Sequence, residues 1–329
     1  MTTQTTEGSE EVAKNIYKLV LPMPRNPLRE NNCYVVRAGE RSLVIDTGMP
    51  EKQSKEALAA GLEGLGVDPS KTEVLVTHHH WDHVGLGHYL ASRGATIYLS
   101  QPDIDFIKMA SAAGPERGIR ISRMNGFPER NGMEEDRRRH DHQSIQYPDF
   151  AVLEEDYRFE IGDYTFVCIS TPGHTQGHMC FYDDEKKLFL SGDHALGTIT
   201  PNIFALPEGD DTLSEYLASL DKVRDYDVEF VLPGHRTIYR NHQERIDELK
   251  RHHEERTGEV LGILATGGKT AYEVASKMKW NVKYGGWQAF PPEQKWMAVG
   301  EAVAHLKYGI TQGMIESEMC RDVFVYRRK

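Results

Sequence analysis

Long apolar runs are missing from this chain, and so is any cluster of cysteines. The longest apolar stretches, such as residues 43–45 and 228–232, fall far short of the roughly 20 residues that cross a bilayer. The first residues, MTTQTTEGSEEVAKN, carry no basic start followed by an apolar stretch, so they do not read as a signal peptide. A cytoplasmic protein without membrane contact is therefore expected. Only four cysteines occur, Cys33, Cys168, Cys180 and Cys320, and none forms a C-x-x-C pair. A disulfide framework would need more cysteines in a smaller chain, so buried reduced thiols are expected instead. No GxSxG elbow and no Ser-His-Asp order is present, which argues against a covalent serine route. Positive charge is also short, with 39 Lys and Arg against 50 Asp and Glu. The deficit is uneven: residues 257–329 hold ten Lys and Arg against seven Asp and Glu, leaving 29 against 43 in residues 1–256. Phosphates would be repelled by so acidic a surface, so nucleic acid is not an expected partner and a small-molecule substrate is.

What is present suits a globular enzyme. Hydrophobic residues make up 39% of 329 residues, enough for a real core and long enough for one large domain and a smaller one. Alternating apolar residues predict strands at 16–21, 33–37, 42–46, 74–77 and 96–99, with an amphipathic helix over 52–65 between them. Strands return at 159–161, 165–170, 177–182, 187–190 and 228–232, and a helix is predicted over 212–224. This order points to a layered α/β fold. Residues 101–150 break the rhythm with few apolar runs and many charges, and read as an insertion, either a solvated surface feature or a lid. A polar helix over 241–256 leads out of the first domain. Residues 257–329, with three helical patterns and a terminal β-ribbon, look like a winged-helix-like module.

The chemistry begins at His78-His79-His80-Trp81-Asp82-His83, directly after a strand. Alternate side chains at a strand end point the same way, so His78 and His80 can share one metal while His79 faces elsewhere. Asp82 and His83 can then swing towards a second position as the chain turns into a helix. Imidazoles with a carboxylate suit zinc first, and also iron or manganese. Three more candidates follow small-residue turns at strand ends: His174 in TPGH, Asp193 in SGD and His235 in PGH. Glycine before each lets the backbone approach a crowded site.

Taken in this order, the motifs resemble those of the metallo-β-lactamase-fold hydrolases, over about residues 15–245. The resemblance implies an αββα sandwich with a small C-terminal winged-helix-like domain, and two divalent metal ions at one edge. It implies that His78, His80 and His174 hold one ion and Asp82, His83 and His235 the other, with Asp193 bridging. Asp46, in DTG after a strand, would support the HxHxDH loop, and His178 in PGHTQGH could do the same. The C-terminal segment looks like that of the β-lactamase-like protein 2 branch, with glyoxalase II as a further relative. The expected chemistry is attack by a hydroxide bridging the two metals, with Asp82 both ligand and proton acceptor.

Fold and metals do not fix the substrate. A (thio)ester is the first expectation; a phosphodiester, as in a nuclease, is the second. A mononuclear-iron persulfide oxygenase and a non-catalytic binding protein follow, though degenerate members typically lose ligands and all seven are kept here. Arg120 and Arg123 are candidates to receive an anionic substrate group. His140, His142, His252 and His253 read as solvated, His194 as pointing away, and Met297, Val299, Val303 and Leu306 as a helical core stripe. Trp280, Trp287 and Trp296 read as the core of the C-terminal segment or its contact with the catalytic domain, with a homodimer or partner surface as the alternative.

Overall fold

The computed structural model describes residues 5–6, 8–24, 26–128, 145–282 and 284–329. The chain packs as two compact units, each drawn from separate segments. The first comprises Met1–Lys108, Ile145–Pro201 and Val223–Arg245; the second comprises Met109–Ser144, Asn202–Lys222 and Ile246–Lys329.

Two mixed sheets build the first unit. One runs in chain order through β1 (Thr5–Thr6), β2 (Ser9–Ala13), β3 (Ile16–Pro22), β4 (Glu30–Ala38), β5 (Arg41–Ile45), β6 (Thr72–Leu75), β7 (Thr96–Ser100) and β8 (Phe150–Leu153). Its pairs are antiparallel up to β5 and parallel from β5 to β8. The other contains β9 (Arg158–Ile161), β10 (Tyr164–Ser170), β11 (Met179–Asp183), β12 (Leu188–Gly192) and β13 (Phe230–Pro233), with β13 joined parallel to β12.

Period-two alternation sets the layers. On β4 and β5, Tyr34, Val36, Leu43 and Ile45 face a core shared with Phe159, Phe166, Phe181 and Leu190 of the other sheet. Their neighbours Cys33, Val35 and Val44 turn the opposite way, onto Leu58 and Leu62 of helix α1 (Lys52–Gly64). The first unit thus holds the helix–sheet–sheet part of the expected sandwich. A buried ring such as Phe166 contributes enough that Phe166→Ala should cost about 3–5 kcal/mol.

Several elements differ from the sequence reading. The stretch expected as a charge-rich insertion begins with two helices, α2 (Gln101–Ala112) and α3 (Pro115–Met124), and ends on strand β8. Met124 and Phe127 are buried there, while Met109 is exposed. His140 and His142 lie outside the described residues.

The helix expected to stop near Arg256 runs from His242 to Leu264, and from Ile246 onward it belongs to the second unit. Its buried positions Ile246, Leu249, His253, Val260 and Leu264 recur at helical spacing, which outweighs the cost of about 1 kcal/mol for Gly258. His253, read as solvated, is buried and stacked on His305; His252 is half-buried. The helix Pro292–Thr311 buries Val299, Val303 and Leu306, with Met297 partly covered. After it come two antiparallel strands, Ile315–Cys320 and Val323–Arg328, the β-ribbon expected there, of which the sequence locates only the second strand. Trp296 packs on Phe127 and Phe204, Trp287 on Tyr272 and Phe290, and Trp280 under the Arg256 guanidinium, all within this unit. Three cysteines are buried, Cys320 is exposed, and all four are free thiols. No described helix is long and apolar enough to cross a membrane.

Candidate metal centre

Five strand ends of the first unit converge on one place. Asp46 follows β5, His78 follows β6 by a short extension, His174 follows β10, Asp193 follows β12 and His235 follows β13. Backbone hydrogen bonds lock these ends together: Met179 N–H donates to Thr77 O (2.8 Å), and Gly234 N–H to Gly192 O (2.8 Å). Gly234 has no room for a side chain. A Cβ there would sit 2.6 Å from Asp193 Oδ1 and 2.8 Å from His83 Cε1. Gly192, with φ +48°, makes the turn that aims Asp193 inward.

All seven candidate ligands are brought together. His78 Nε2 lies 2.9 Å from His80 Nδ1, and His174 Nε2 lies 3.0 Å from the same atom. Asp82, His83 and His235 form a second group, with His235 Nε2 3.3 Å from Asp82 Oδ2. Asp193 lies between: its Oδ2 is 3.7 Å from His174 Nε2 and 3.4 Å from His235 Nε2, and its Oδ1 is 3.6 Å from His83 Nε2.

The donor set fits divalent cations on three grounds. First, His83 Nε2, His235 Nε2 and Asp193 Oδ1 are buried and make no hydrogen bond among the described residues, which is costly without a ligand. Second, three of the imidazoles turn their other nitrogen outward onto a fixed partner. His83 Nδ1–H donates to Asp46 Oδ2 (2.7 Å), His235 Nδ1–H donates to Glu30 O (2.9 Å), and His78 Nδ1 meets Thr77 Oγ1 (3.0 Å). Third, the electrostatics ask for positive charge. Burial opposes a charged His235, yet Asp193 and Asp82 push it up to about 10. Burial likewise opposes a charged His83, and Asp46, Asp193 and Asp82 overcome it. Burial and neighbouring imidazoles keep His78 and His80 neutral, the form that ligates. Burial favours a neutral Asp82, but His83 and His235 hold its carboxyl well below the usual range.

Asp46 adopts a left-handed backbone (φ +62°), unusual for a residue other than glycine. It accepts from Thr77 N–H (2.8 Å) and His83, and so clamps the strand end behind the cluster. His178 accepts Asp193 N–H at Nε2 (3.1 Å) and meets Thr171 Oγ1 at Nδ1 (2.8 Å). His79 turns away and stacks on Phe106. His194 is buried, with its ring 6.1 Å from that of His178. Arg120 and Arg123 are exposed on α3 in the second unit, and Arg120 is paired with Glu208.

Some contributors were not read from the sequence. Asn31 donates to Asp82 O (2.7 Å), and Asn32 donates to Pro233 O (2.8 Å) and Arg236 O (2.9 Å). Their signal was two consecutive asparagines opening an otherwise apolar strand. Asp103, fully buried on α2, contacts the loops around His79 and Thr175. An open cleft of 790 Å³ lined by Tyr17, Arg37, Arg41 and Asp163 includes none of the clustered side chains.

Comparison with known proteins places the family and the fold. The model of the Metallo-beta-lactamase superfamily matches residues 26–235. A beta-lactamase-like protein 2 homolog of Caenorhabditis elegans is 25% identical, covering 72% of this chain and 66% of its own length. An atrochrysone carboxyl ACP thioesterase of Aspergillus fumigatus is 25% identical over 71% of this chain, which spans 59% of that protein. A crystal structure of a metallo-beta-lactamase family protein from Thermus thermophilus shares 26% identity and a TM-score of 0.82, covering 97% of this chain and 100% of that one.

Proposed function

Because the chain belongs to the metallo-beta-lactamase superfamily, we propose that it is a hydrolase working with two divalent metal ions, preferentially zinc, on an ester or thioester. The observation that carries this reading is the placement of Asp193 Oδ2 within 3.7 Å of His174 and 3.4 Å of His235, members of two different three-residue groups, while Asp193 itself clusters with His78 and His83. In this proposal His78, His80 and His174 hold one ion, Asp82, His83 and His235 the other, and Asp193 both. Bound divalent ions supply Lewis acidity towards water and towards a carbonyl oxygen.

The remaining work falls to the chain's own groups. Asp82, ionised under the influence of His83 and His235, accepts the proton of the attacking water at a carboxylate oxygen. Asp46 and His178 hold His83 and Asp193 in place from behind. The thioester preference is supported by the thioesterase named among the relatives, and a glyoxalase-II-like acyl substrate belongs to the same class. Arg120 and Arg123 are our candidates for receiving a substrate carboxylate. We read the two helices at 271–275 and 292–311 with their hairpin as a winged-helix-like arrangement used for packing or self-association.

The test pairs metal quantification of the purified protein with a panel of thioesters, phosphodiesters and single-stranded RNA. Close to two equivalents of metal, turnover of thioesters and a loss of at least about a hundredfold in His80→Ala are expected. Full activity in His80→Ala would sink the hydrolase reading, and turnover confined to phosphodiesters would sink the substrate class.

A further inference from the structure

Two separate loops carry His78, His80 and His174, and one carboxylate touches both loops. Asp103 is inaccessible to water. Its Oδ2 accepts the backbone N–H of His79 (2.8 Å) and the hydroxyl of Thr175 (3.0 Å). Its Oδ1 accepts the backbone N–H of Gly177 (3.0 Å) and lies 3.0 Å from His79 Nδ1. His79 is the residue between His78 and His80, and Thr175 directly follows His174. Gly177 fits this arrangement tightly, since a Cβ there would meet Ser100 Oγ at 2.1 Å and Asp103 N at 2.7 Å.

We infer that Asp103 is a positioning residue that fixes the His78–His80–His174 group, an inference that rests on the metal reading proposed above. A buried carboxylate needs hydrogen-bond donors on both oxygens, and here those donors are backbone and side-chain groups of the two loops themselves. Hydrogen bonds are directional, and both oxygens of one rigid carboxyl group are engaged, so the spacing between the loops follows from that group's own dimensions. Asp46 plays the matching part for the other group through His83 Nδ1 (2.7 Å) and Thr77 N–H (2.8 Å). Asp46 also reaches the first group through Thr77, whose Oγ1 meets His78 Nδ1 (3.0 Å). Each candidate ion position thus has a buried aspartate behind its ligands, but the hydrogen bonds of Asp103 to His79, Thr175 and Gly177 all lie on one group.

The consequence is selectivity. Asp103→Asn keeps the shape but sets an NH2 group against donors that need an acceptor. It should weaken one metal position by about tenfold or more and leave the other near wild type. The experiment titrates cobalt(II) into metal-free wild type, Asp103→Asn, Asp46→Asn and His80→Ala, following the visible spectrum and competition with a chelator. Amide hydrogen exchange at His79 and Gly177 and the melting temperature are measured on the same samples. The expected Asp103→Asn protein melts within a few degrees of wild type and exchanges faster at both amides. Its cobalt spectrum should shift towards that of His80→Ala and away from that of Asp46→Asn, and turnover should show a fall in kcat with KM held. Should Asp103→Ala not fold, the isosteric Asn variant still gives the answer. Unchanged cobalt affinity in Asp103→Asn, beside a loss in His80→Ala, overturns this inference and leaves the metal reading intact. Equal weakening of both positions with a much lower melting temperature overturns it as well, by showing a merely structural role. A wild type that takes up no cobalt overturns both readings.

Discussion

His83 Nδ1 and Asp46 Oδ2 lie 2.7 Å apart, and neither side chain is open to water. The pair turns His83 Nε2 towards Asp82 and Asp193, and the aspartate spends an uncommon left-handed backbone to be there. Asparagine tolerates that backbone but lacks the charge. Asp46→Asn should therefore fold while binding metal about 10–100-fold more weakly. Competition with a chelator measures this, and wild-type affinity in the variant would contradict it.

Gly234 offers a test by addition of a single methyl group. With Asp193 Oδ1 and His83 Cε1 both inside 3 Å of the new carbon, something must shift. Gly234→Ala should lose about 1–3 kcal/mol of stability and a large share of its metal content. Calorimetry with elemental analysis checks both; retention of full metal content would show that the turn can give.

The second unit should carry its own acid sensitivity. Burial, aided by His252 and Arg256, pushes His253 down to about 3, and burial also keeps His305 neutral. The unfolded chain takes up a proton near pH 6.5, whereas folded His253 does not until about pH 3. Stability is thus whole above pH 6.5 and falls as pH drops towards 3, by about 2 kcal/mol at pH 5 from this group. His253→Phe, which preserves the stack on His305, should show a shallower fall in melting temperature between pH 7.5 and 5. Parallel curves would reject the assignment.

Arg256 donates to Glu259 Oε2 (2.6 Å), Glu301 Oε1 (3.3 Å) and Lys279 O (2.8 Å), and its side chain is 9% exposed. Removing it strands carboxylates with little access to water. Arg256→Ala should cost about 3–5 kcal/mol. Arg256→Lys should recover only part of that, because an ammonium cannot span these partners as a guanidinium does. Denaturant melts decide the point, and a loss below about 1 kcal/mol would show the network to be incidental.

How far the sequence reached depends on the range of each signal. Strands such as β4 and β5 were legible because Tyr34, Val36, Leu43 and Ile45 alternate with Cys33, Val35 and Val44, and burial on both faces requires that pattern. The seven clustered side chains were legible because each follows a strand and a small-residue turn or lies in the short motif after β6. Asp103 was not, since its partners lie 24 to 74 residues away and nothing beside it marks it among the other acids of its stretch. The first strand of the expected β-ribbon, Ile315–Cys320, has no legible position because only its first residue is buried, so no alternation shows. The helix through Thr257-Gly258 looked broken because local propensity favoured a stop, and tertiary burial prevailed over it.

The parallel pairing of β13 with β12 has a kinetic meaning. His235 reaches the cluster only after a strand some forty residues beyond β12 has docked beside it, one of the slower contacts for a chain to make. Glu30 and Asn32, from near the start of the chain, must also be in place to receive that turn. Under the proposed assignment, uptake of the second ion during refolding should lag behind formation of the first sheet. Metal capture would then serve as a clock for completion of the fold.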